Sequence, residues 1–259
     1  MIRLSFCLAA TLLVMANSCV QYHYSPNFIQ TPYLEKKGEA MVSASVSGDP
    51  TSVGGDFHAS WSPVKNGTVM LNHYRNRSRF QDPNFFGGTT YLEEAKTFLV
   101  EAAAGGYFPL SFGTCAIYAG GGIGRSRNDY GIERIAKINM NRWFLQPTFT
   151  FKNDWFRIGM GMRLILINFP AGNIDYRIEP EDIAVIQGLE NDGPFVFPEF
   201  GGNIGIHFKP VTISAHLVIL PSPRALEYNF DGSNFGLGLS VDLHKLGKKQ
   251  KVSEGKATD

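Results

Sequence analysis

The chain has 259 residues, a formal charge of +1 and an apolar share of 44%. This length allows one large β domain or two smaller domains, and the apolar share excludes an intrinsically disordered chain. Outside the first 18 residues, whose one charged side chain is Arg3, 23 basic residues balance 23 acidic ones. A chain with this balance offers no electrostatic basis for binding nucleic acid.

The first 18 residues have the pattern of an export signal. Arg3 is followed by the apolar run 4–15, which is too short to span a bilayer as a helix. The run ends in Ala16-Asn17-Ser18-Cys19, which resembles the cleavage site of bacterial lipoproteins. The resemblance implies cleavage before Cys19 and acylation of its sulfur and its new amino group, with palmitate as the expected label. The alternative is ordinary signal-peptidase cleavage, which would remove Cys19 or leave it unmodified.

Residues 19–38 contain two prolines and no regular period, and we interpret them as a lipid-attached tether. Ten strand-like runs follow, each with apolar and polar residues in alternation. They cover residues 39–47, 54–62, 68–76, 95–107, 114–127, the two arms of 139–169, and then 195–208, 211–220 and 233–243. No helical amphipathic run competes with this pattern, so the expected fold class is all-β.

The hairpin over residues 139–169 shows the alternation best. Its turn is predicted at Asn153-Asp154, because both residue types tolerate the positive φ of tight hairpin turns. Pairing Lys152 with Trp155 gathers the apolar side chains on one face and polar side chains or glycine on the other. Pro147 cannot donate to the ladder, so a bulge is expected there.

A second hairpin repeats this logic around a turn at Lys209-Pro210. The predicted pairs are Phe208–Val211, Ile206–Ile213, His207–Thr212 and Gly205–Ser214. Here too the apolar and polar side chains separate onto opposite faces, which is typical of strands that are half buried.

The connections between the runs alternate in length. Residues 63–67, 108–113, 153–154 and 209–210 are short, whereas 77–94, 128–137, 170–194 and 221–232 are longer and polar. Among the predicted outer connections only the first, 48–53, is short. Bacterial outer-membrane barrels have short periplasmic turns, long outer loops and an even number of strands. The alternation therefore predicts such a barrel, with both chain ends on the periplasmic side.

The polar faces of the strands carry mostly small or uncharged residues. A soluble barrel would turn a face rich in Lys, Glu and Asp to water, so this composition favours the crowded interior of a small membrane barrel. A charge that faces lipid at mid-depth costs about 2–4 kcal/mol, so the isolated charges are assigned to the lumen. The candidate lumen polar network comprises Glu101, Arg142, Arg157, Arg163, Glu199, His207, His216 and Asp242. We interpret it as ion-paired packing, with a narrow pore lining or a ligand site as the alternative.

Catalysis and metal binding have weaker support. Glu199, His207 and His216 share one predicted inner face, which is the arrangement that a metal site or a hydrolase dyad would use. The sequence has no GxSxG motif and no CxxC pair. We therefore predict no catalytic residue, no cofactor and no metal.

The chain resembles the outer-membrane β-barrel proteins of Gram-negative bacteria and, more narrowly, lipid-anchored barrel-like proteins of the Bacteroides group. The resemblance rests on Pro26-Asn27, Pro32, Leu34, Lys37-Gly38-Glu39 and Gly54-Gly55-Asp56-Phe57-His58-Ala59. Many outer-membrane barrels end on an aromatic residue, whereas this chain continues as a polar tail over residues 245–259.

The sequence thus predicts a single antiparallel up-and-down transmembrane-type β-barrel over residues 39–244, with about ten strands. Eight strands would remain if the first two runs paired outside the barrel. The expected function is that of a non-enzymatic outer-membrane β-barrel lipoprotein with a structural, surface-binding or narrow-pore role, whose loops 77–94 and 170–194 would contact any partner. The alternatives are a soluble periplasm-facing calyx that binds a small apolar ligand, and a barrel enzyme that acts on lipid or peptide.

Overall fold

The computed structural model describes residues 22–48, 52–81, 92–131 and 134–246. The predicted signal peptide, Cys19 and most of the polar tail lie outside the described residues. Within them the chain forms a closed antiparallel barrel of ten strands together with one further short strand. The prediction of an all-β barrel with ten strands is therefore confirmed.

The strands and helices have the following bounds. The strands are β1 (Ala40–Gly48), β2 (Ser52–Val64), β3 (Gly67–Gln81), β4 (Leu92–Leu110), β5 (Gly113–Asp129), β6 (Ile135–Lys152), β7 (Phe156–Asn168), β8 (Asn173–Ile174), β9 (Phe195–Phe208), β10 (Val211–Ile219) and β11 (Ser233–Asp242). The helices in the described ranges are α1 (Pro180–Asn191), α2 (Pro223–Glu227) and α3 (Leu243–Leu246). None of these helices combines the length and the apolar composition that crossing a membrane requires.

The ten barrel strands follow one another around the ring in chain order, and β1 pairs with β11 to close it. Only β8 stands apart, since it pairs with β6 beyond the end of β7. Both β1 and β2 belong to the ring, so the eight-strand alternative is wrong. The connections 65–66, 111–112, 153–155 and 209–210 gather at one end, which we call the short-turn end. Residues 130–131, 169–194 and 220–232 gather at the other, which we call the long-loop end.

The registers of the two hairpins differ in how well the sequence predicted them. The β9–β10 pairs are those predicted, including Phe208 with Val211. The predicted β6–β7 register is wrong by two residues, because Lys152 pairs with Arg157 and the turn is longer than two residues. A shift of two keeps every side chain on its face, so the separation of faces survives. The β6–β7 pairing is interrupted at Pro147 but resumes beyond it without a register shift.

The barrel has an inverted polarity. Large apolar side chains such as Phe98, Leu164 and Ile204 point outward and are exposed, whereas charged side chains such as Arg142, Arg163 and Glu199 point inward and are buried. On β4 the outward apolar residues run from Phe98 to Phe108. With a rise of about 3.3 Å per residue and a strand tilt of about 40°, this run is about 25 Å tall. That height matches the apolar band of barrels that span a membrane.

The interpretation of residues 22–38 as a tether is wrong. Most side chains from Tyr22 to Leu34 are buried, and Tyr24, Asn27 and Phe28 are at most 1% exposed. These residues lie inside the barrel because they fill the lumen that a ring of ten strands leaves between its walls. We call residues 22–35 the lumen segment.

The helix α1 was missing from the sequence prediction, which left residues 170–194 as a loop. It begins with a proline in its first turn, followed by Glu181 and Asp182, which suits the positive end of a helix dipole. Ile186 and Leu189 are fully buried in one apolar cluster with residues of the neighbouring strands and of residues 220–232. The loop therefore folds over the mouth of the barrel as a lid.

Candidate functional site

The lumen segment runs through the barrel from the long-loop end to the short-turn end. At the long-loop end, the backbone N–H of Asp231 donates to the carbonyl of Tyr24 at 2.8 Å. Just beyond the segment, Gly38 donates its backbone N–H to Ser62 near the short-turn end at 2.7 Å. A segment of this length reaches up to about 46 Å when extended, so it can cross the whole apolar belt.

This path places the first and the last described residues at opposite ends of the barrel, and the predicted position of the two chain ends lies outside the described residues. The first described residue, Tyr22, is next to His23, which donates its backbone N–H to Asn229 at the long-loop end. The chain leaves the barrel after Asp242 at the opposite, short-turn end. The reason is that the lumen segment first runs from the long-loop end to the short-turn end. The chain then turns at Gly38, which takes a positive φ of 86°, and enters β1.

Four charged side chains meet inside the lumen, and we call them the central cluster. Arg142 Nη2 donates to Glu199 Oε2 at 2.7 Å, and Arg142 Nε lies 3.4 Å from Glu101 Oε1. Arg163 Nη1 lies 3.4 Å from Glu199 Oε2 and 3.8 Å from Glu101 Oε2. These side chains are at most 1% exposed, so two cations facing two anions offset a large desolvation cost.

Asn27 joins the central cluster to the lumen segment. Its Oδ1 accepts hydrogen bonds from Arg142 Nη1 at 3.0 Å and from Arg163 Nη1 at 2.7 Å. Its Nδ2 donates to Glu101 Oε2 at 2.7 Å. One amide therefore forms hydrogen bonds to two guanidinium groups and one carboxylate, which a hydrophobic residue at this position could not do.

The rest of the segment is fixed to the barrel wall along its length. The side-chain bonds include Tyr24 Oη to Glu199 Oε1 (2.6 Å), Arg163 Nη2 to Phe28 O (3.0 Å), Gln146 Nε2 to Gln30 O (2.8 Å) and Asn203 Nδ2 to Thr31 Oγ1 (2.7 Å). Glycines make room for it, because a Cβ on Gly159 would overlap Thr31 and a Cβ on Gly161 would lie 2.9 Å from Ile29. The wall and the segment are therefore complementary in shape as well as in charge.

A second group of charges lies near the short-turn end. Arg157 donates from Nη2 to Asp242 Oδ2 at 2.6 Å and from Nη1 to Asp242 Oδ1 at 3.2 Å. The same Nη2 lies 3.2 Å from His207 Nε2, while His207 Nδ1 lies 2.9 Å from Thr212 Oγ1. Lys245 also donates to Asp242. This bidentate pair links β7 to the end of β11.

His216 belongs to neither group. Its Nε2 lies 2.8 Å from Ser214 Oγ, and its ring stacks on Phe28 with centroids 4.9 Å apart. Glu199 and His207 are separated along β9 by about 26 Å, given the rise of a strand. The structure thus places all eight predicted network residues in the lumen but in separate groups, and it does not bring Glu199, His207 and His216 into one site.

A cavity of about 450 Å³ opens at the short-turn end, beside the end of the lumen segment. There Lys152 Nζ lies 2.6 Å from Glu35 Oε2, and Tyr33 Oη donates to Glu35 Oε1 at 2.9 Å. Burial by itself would raise the pKa of Glu35, but the hydrogen bonds from Lys152 and Tyr33 outweigh it and lower that pKa below its usual range. The pair holds the segment where it leaves the lumen.

The predicted contact loops also look different in the structure. β3 continues to Gln81 and β4 begins at Leu92, so both ends of the predicted loop 77–94 are strand, and its middle lies outside the described residues. Residues 170–194 form β8 and the lid helix α1, which leave Tyr176 82% exposed. A role for these two segments in contacting a partner stays a prediction.

Sequence reasoning missed the residues of the lumen segment, above all Asn27 and Tyr24. One signal was present: Tyr22, Tyr24, Phe28, Ile29, Tyr33 and Leu34 make this stretch too apolar and aromatic for a solvated tether. Across the described residues, His, Cys, Asp and Glu side chains form no group of three or more that could hold a metal. No family model and no curated protein matches the chain.

Proposed function

We propose that this chain is an outer-membrane β-barrel lipoprotein with a permanently filled lumen, which serves as a structural or surface-binding platform and not as a pore or an enzyme. The observation that carries this proposal is the inverted polarity of the barrel. Large apolar side chains such as Phe57, Leu164 and Ile204 are exposed, whereas Arg142 and Arg163 are fully buried. A barrel surrounded by lipid has this polarity, and a barrel surrounded by water has the opposite one.

The filled lumen argues against the calyx alternative. A calyx for a small apolar ligand needs an empty interior lined by apolar side chains. The middle of this lumen instead holds Asn27 and Phe28 of the lumen segment, packed against the central cluster. A ligand would have to displace three hydrogen bonds of Asn27 before it could enter, so the interior is better suited to rigidity than to binding.

The same feature argues against a pore. Arg142, Arg163, Glu101 and Glu199 project into the lumen from four different strands and are at most 1% exposed to water. A continuous aqueous path past them would leave their side chains accessible. We therefore expect no ion conduction, and the pore alternative predicts stepwise currents in a planar bilayer.

The predicted lipid would attach close to the long-loop end. Cys19 precedes Tyr22 by three residues, a covalent reach of about 11 Å. Tyr22 adjoins the long-loop end, and long loops face the outside of the cell in bacterial outer-membrane barrels. The proposal therefore puts the acyl chains of Cys19 in the outer leaflet, on the side opposite to the one that the sequence suggested.

The decisive experiment is fractionation of Gram-negative cells that express the chain. We expect it to stay in the outer-membrane fraction after a carbonate wash, and to migrate faster on a gel before boiling than after it. Release by carbonate into the soluble fraction would contradict a membrane-spanning barrel and favour the calyx.

Lipidation has a separate test. Metabolic labelling with palmitate should mark the wild-type chain and leave Cys19→Ala unlabelled, while Cys115→Ala serves as the matched control. Unchanged labelling of Cys19→Ala would overturn the lipoprotein part of the proposal without touching the barrel itself.

A further inference from the structure

The outward faces of the barrel strands are charged on one side only. Outward side chains of β1, β2, β7, β9, β10 and β11 in the described ranges include no Lys, Arg, Asp or Glu. On β3–β6, toward the long-loop end, the outward side chains include seven cations: Arg75, Arg77, Arg79, Lys96, Arg125, Arg127 and Lys137. Among the described residues, only Glu94 and Asp129 are acidic on the same part of this face. We call this area the cationic band.

Four of the cations form one row across four strands. Arg77 pairs with Lys96, Lys96 with Arg127 and Arg127 with Lys137. Neighbouring strands are about 4.8 Å apart, so the row is about 14 Å wide. Like charges directly opposite one another destabilise a sheet. Glu94 relieves part of this repulsion through ion pairs with Arg77 and Lys96.

The next row toward the short-turn end is partly cationic. It contains Arg75, Phe98, Arg125 and Asn139, and Arg125 Nε donates to Asn139 Oδ1 at 2.9 Å. Two rows of cationic side chains about 6.6 Å apart along the strands, each with two arginines, can surround a phosphate, whose oxygens match the arginine fork.

An apolar trough lies on the same outer face, next to the cationic band on the side of the short-turn end. Its floor consists of small residues (Ala102, Ala104, Ala119 and Gly121), and its two sides are marked by Trp61 and Trp143. Trp61 is 52% and Trp143 is 65% exposed. The trough and the groove at the cationic band share Ile123 and Asn141, so they form one continuous surface with volumes of 1030 and 770 Å³.

We propose that this surface binds a membrane lipid with a phosphorylated headgroup. The cationic band holds the phosphate, and the trough holds the acyl chains between Trp61 and Trp143. This inference rests on the proposed membrane-spanning barrel, since only a bilayer presents headgroups and acyl chains at these two adjacent heights. The occupant follows from charge complementarity, because seven cations against two acidic side chains at the edge of an apolar belt favour an anion with an apolar body.

Tryptophan quenching in lipid vesicles tests the proposal. A variant with Trp61→Phe and Trp155→Phe retains Trp143 as its one tryptophan. It is folded into phosphatidylcholine vesicles that contain a small share of lipid brominated on its acyl chains, either phosphatidylglycerol or phosphatidylcholine. We expect brominated phosphatidylglycerol to quench Trp143 at a mole fraction about tenfold lower, since each basic residue at a membrane surface contributes an attraction of that order.

The decisive variant adds Arg75→Gln, Arg125→Gln and Arg127→Gln, which should abolish the preference between the two lipids. The matched control adds Lys37→Gln, Lys65→Gln and Lys209→Gln at the short-turn end, which removes the same number of charges, and should keep the preference. Loss of repulsion should leave the triple variant folded, as checked by heat-modifiable migration. Should it fail to fold, the single variant Arg127→Gln must show a reduced preference.

The outcomes separate the two proposals. Equal quenching by both lipids in the single-tryptophan variant with the cationic band intact overturns the lipid site but leaves the barrel in the bilayer. Loss of the preference in the short-turn control also overturns the site, because it attributes the effect to overall charge. Absence of quenching by either lipid means that Trp143 does not face acyl chains, and this overturns the membrane-spanning barrel as well.

Discussion

Replacing Asn27 with aspartic acid tests the role of the lumen segment at the point where most bonds converge. The new side chain has the shape of the old one, but as a carboxylate it could not donate to Glu101, whose Oε2 lies 2.7 Å from Asn27 Nδ2. Two carboxylates at this distance in a buried site share one proton. We therefore expect the Asn27→Asp variant to fold only with its new carboxyl group protonated, since that form copies the hydrogen bonds of the amide.

The cost follows from the free energy of that protonation. An ordinary aspartic acid has a pKa of about 3.9, and each pH unit above it adds about 1.36 kcal/mol, so the cost is about 4 kcal/mol at pH 7. It falls to about 1.5 kcal/mol at pH 5. The sign is that of a group protonated in the folded state: stability is highest at low pH and is lost as the pH rises.

The assay is urea unfolding of Asn27→Asp and the wild type in phospholipid vesicles at pH 5 and pH 7, followed by tryptophan fluorescence. Adding Glu101→Gln supplies an amide that can donate to the new carboxylate at position 27. The cluster then again has two anions, this carboxylate and Glu199, against the two arginines. The double variant should therefore recover most of the lost folding free energy at pH 7. A loss that did not depend on pH, or a double variant no more stable than Asn27→Asp, would refute a charge-balanced role for Asn27.

Three further predictions concern other parts of the barrel. Leu164→Arg puts a charge on the outward face in mid-belt and should cost about 2–4 kcal/mol of folding free energy in vesicles but little in a polar detergent; equal losses in both would contradict a lipid-facing position. Gly159→Ala should cost about 1–3 kcal/mol because its Cβ overlaps Thr31, and Thr31→Gly should recover part of this in urea titrations; no recovery would mean that the clash is elsewhere. The pKa of Glu35 is lowered, so its contribution is complete above about pH 4.3 and is lost as the pH falls through its lower folded value. The urea midpoint should therefore drop more between pH 6 and pH 2 in the wild type than in Lys152→Met, and equal drops would argue against the ion pair.

The parts of the fold that followed from the sequence are those where alternation was uninterrupted. β9 and β10 alternate up to Lys209-Pro210, so both the turn and the register could be placed. The β6–β7 register could not, because a shift of two leaves the apolar face intact and so the hydrophobic pattern carries no information about it. Turn chemistry at Asn153-Asp154 does not distinguish a two-residue turn from a longer one.

Only the part of the candidate site that lies on the strands could be predicted from the sequence. The charges on the strands were assigned to the lumen because their positions alternate with apolar ones. Asn27 could not be joined to them, since its partners Glu101, Arg142 and Arg163 are 74, 115 and 136 residues away and its own stretch has no period. α1 was missed for a related reason. Its helical pattern is short, and its apolar residues pack against the mouth of the barrel, which is formed by residues distant in the sequence.

The lumen segment has a consequence for the order of assembly. The seam between β1 and β11 joins the first barrel strand to the last, so the ring cannot close until the whole sheet has been made. Once it is closed, a segment that carries bulky rings and buried charges would have to pass lengthwise through a packed interior. We therefore expect the sheet to curl around the segment, with Asn27 already paired to successive strands as they are added. The residues nearest the start of the described chain would then act as the template around which the barrel forms, and a chain lacking them should stall as an open sheet.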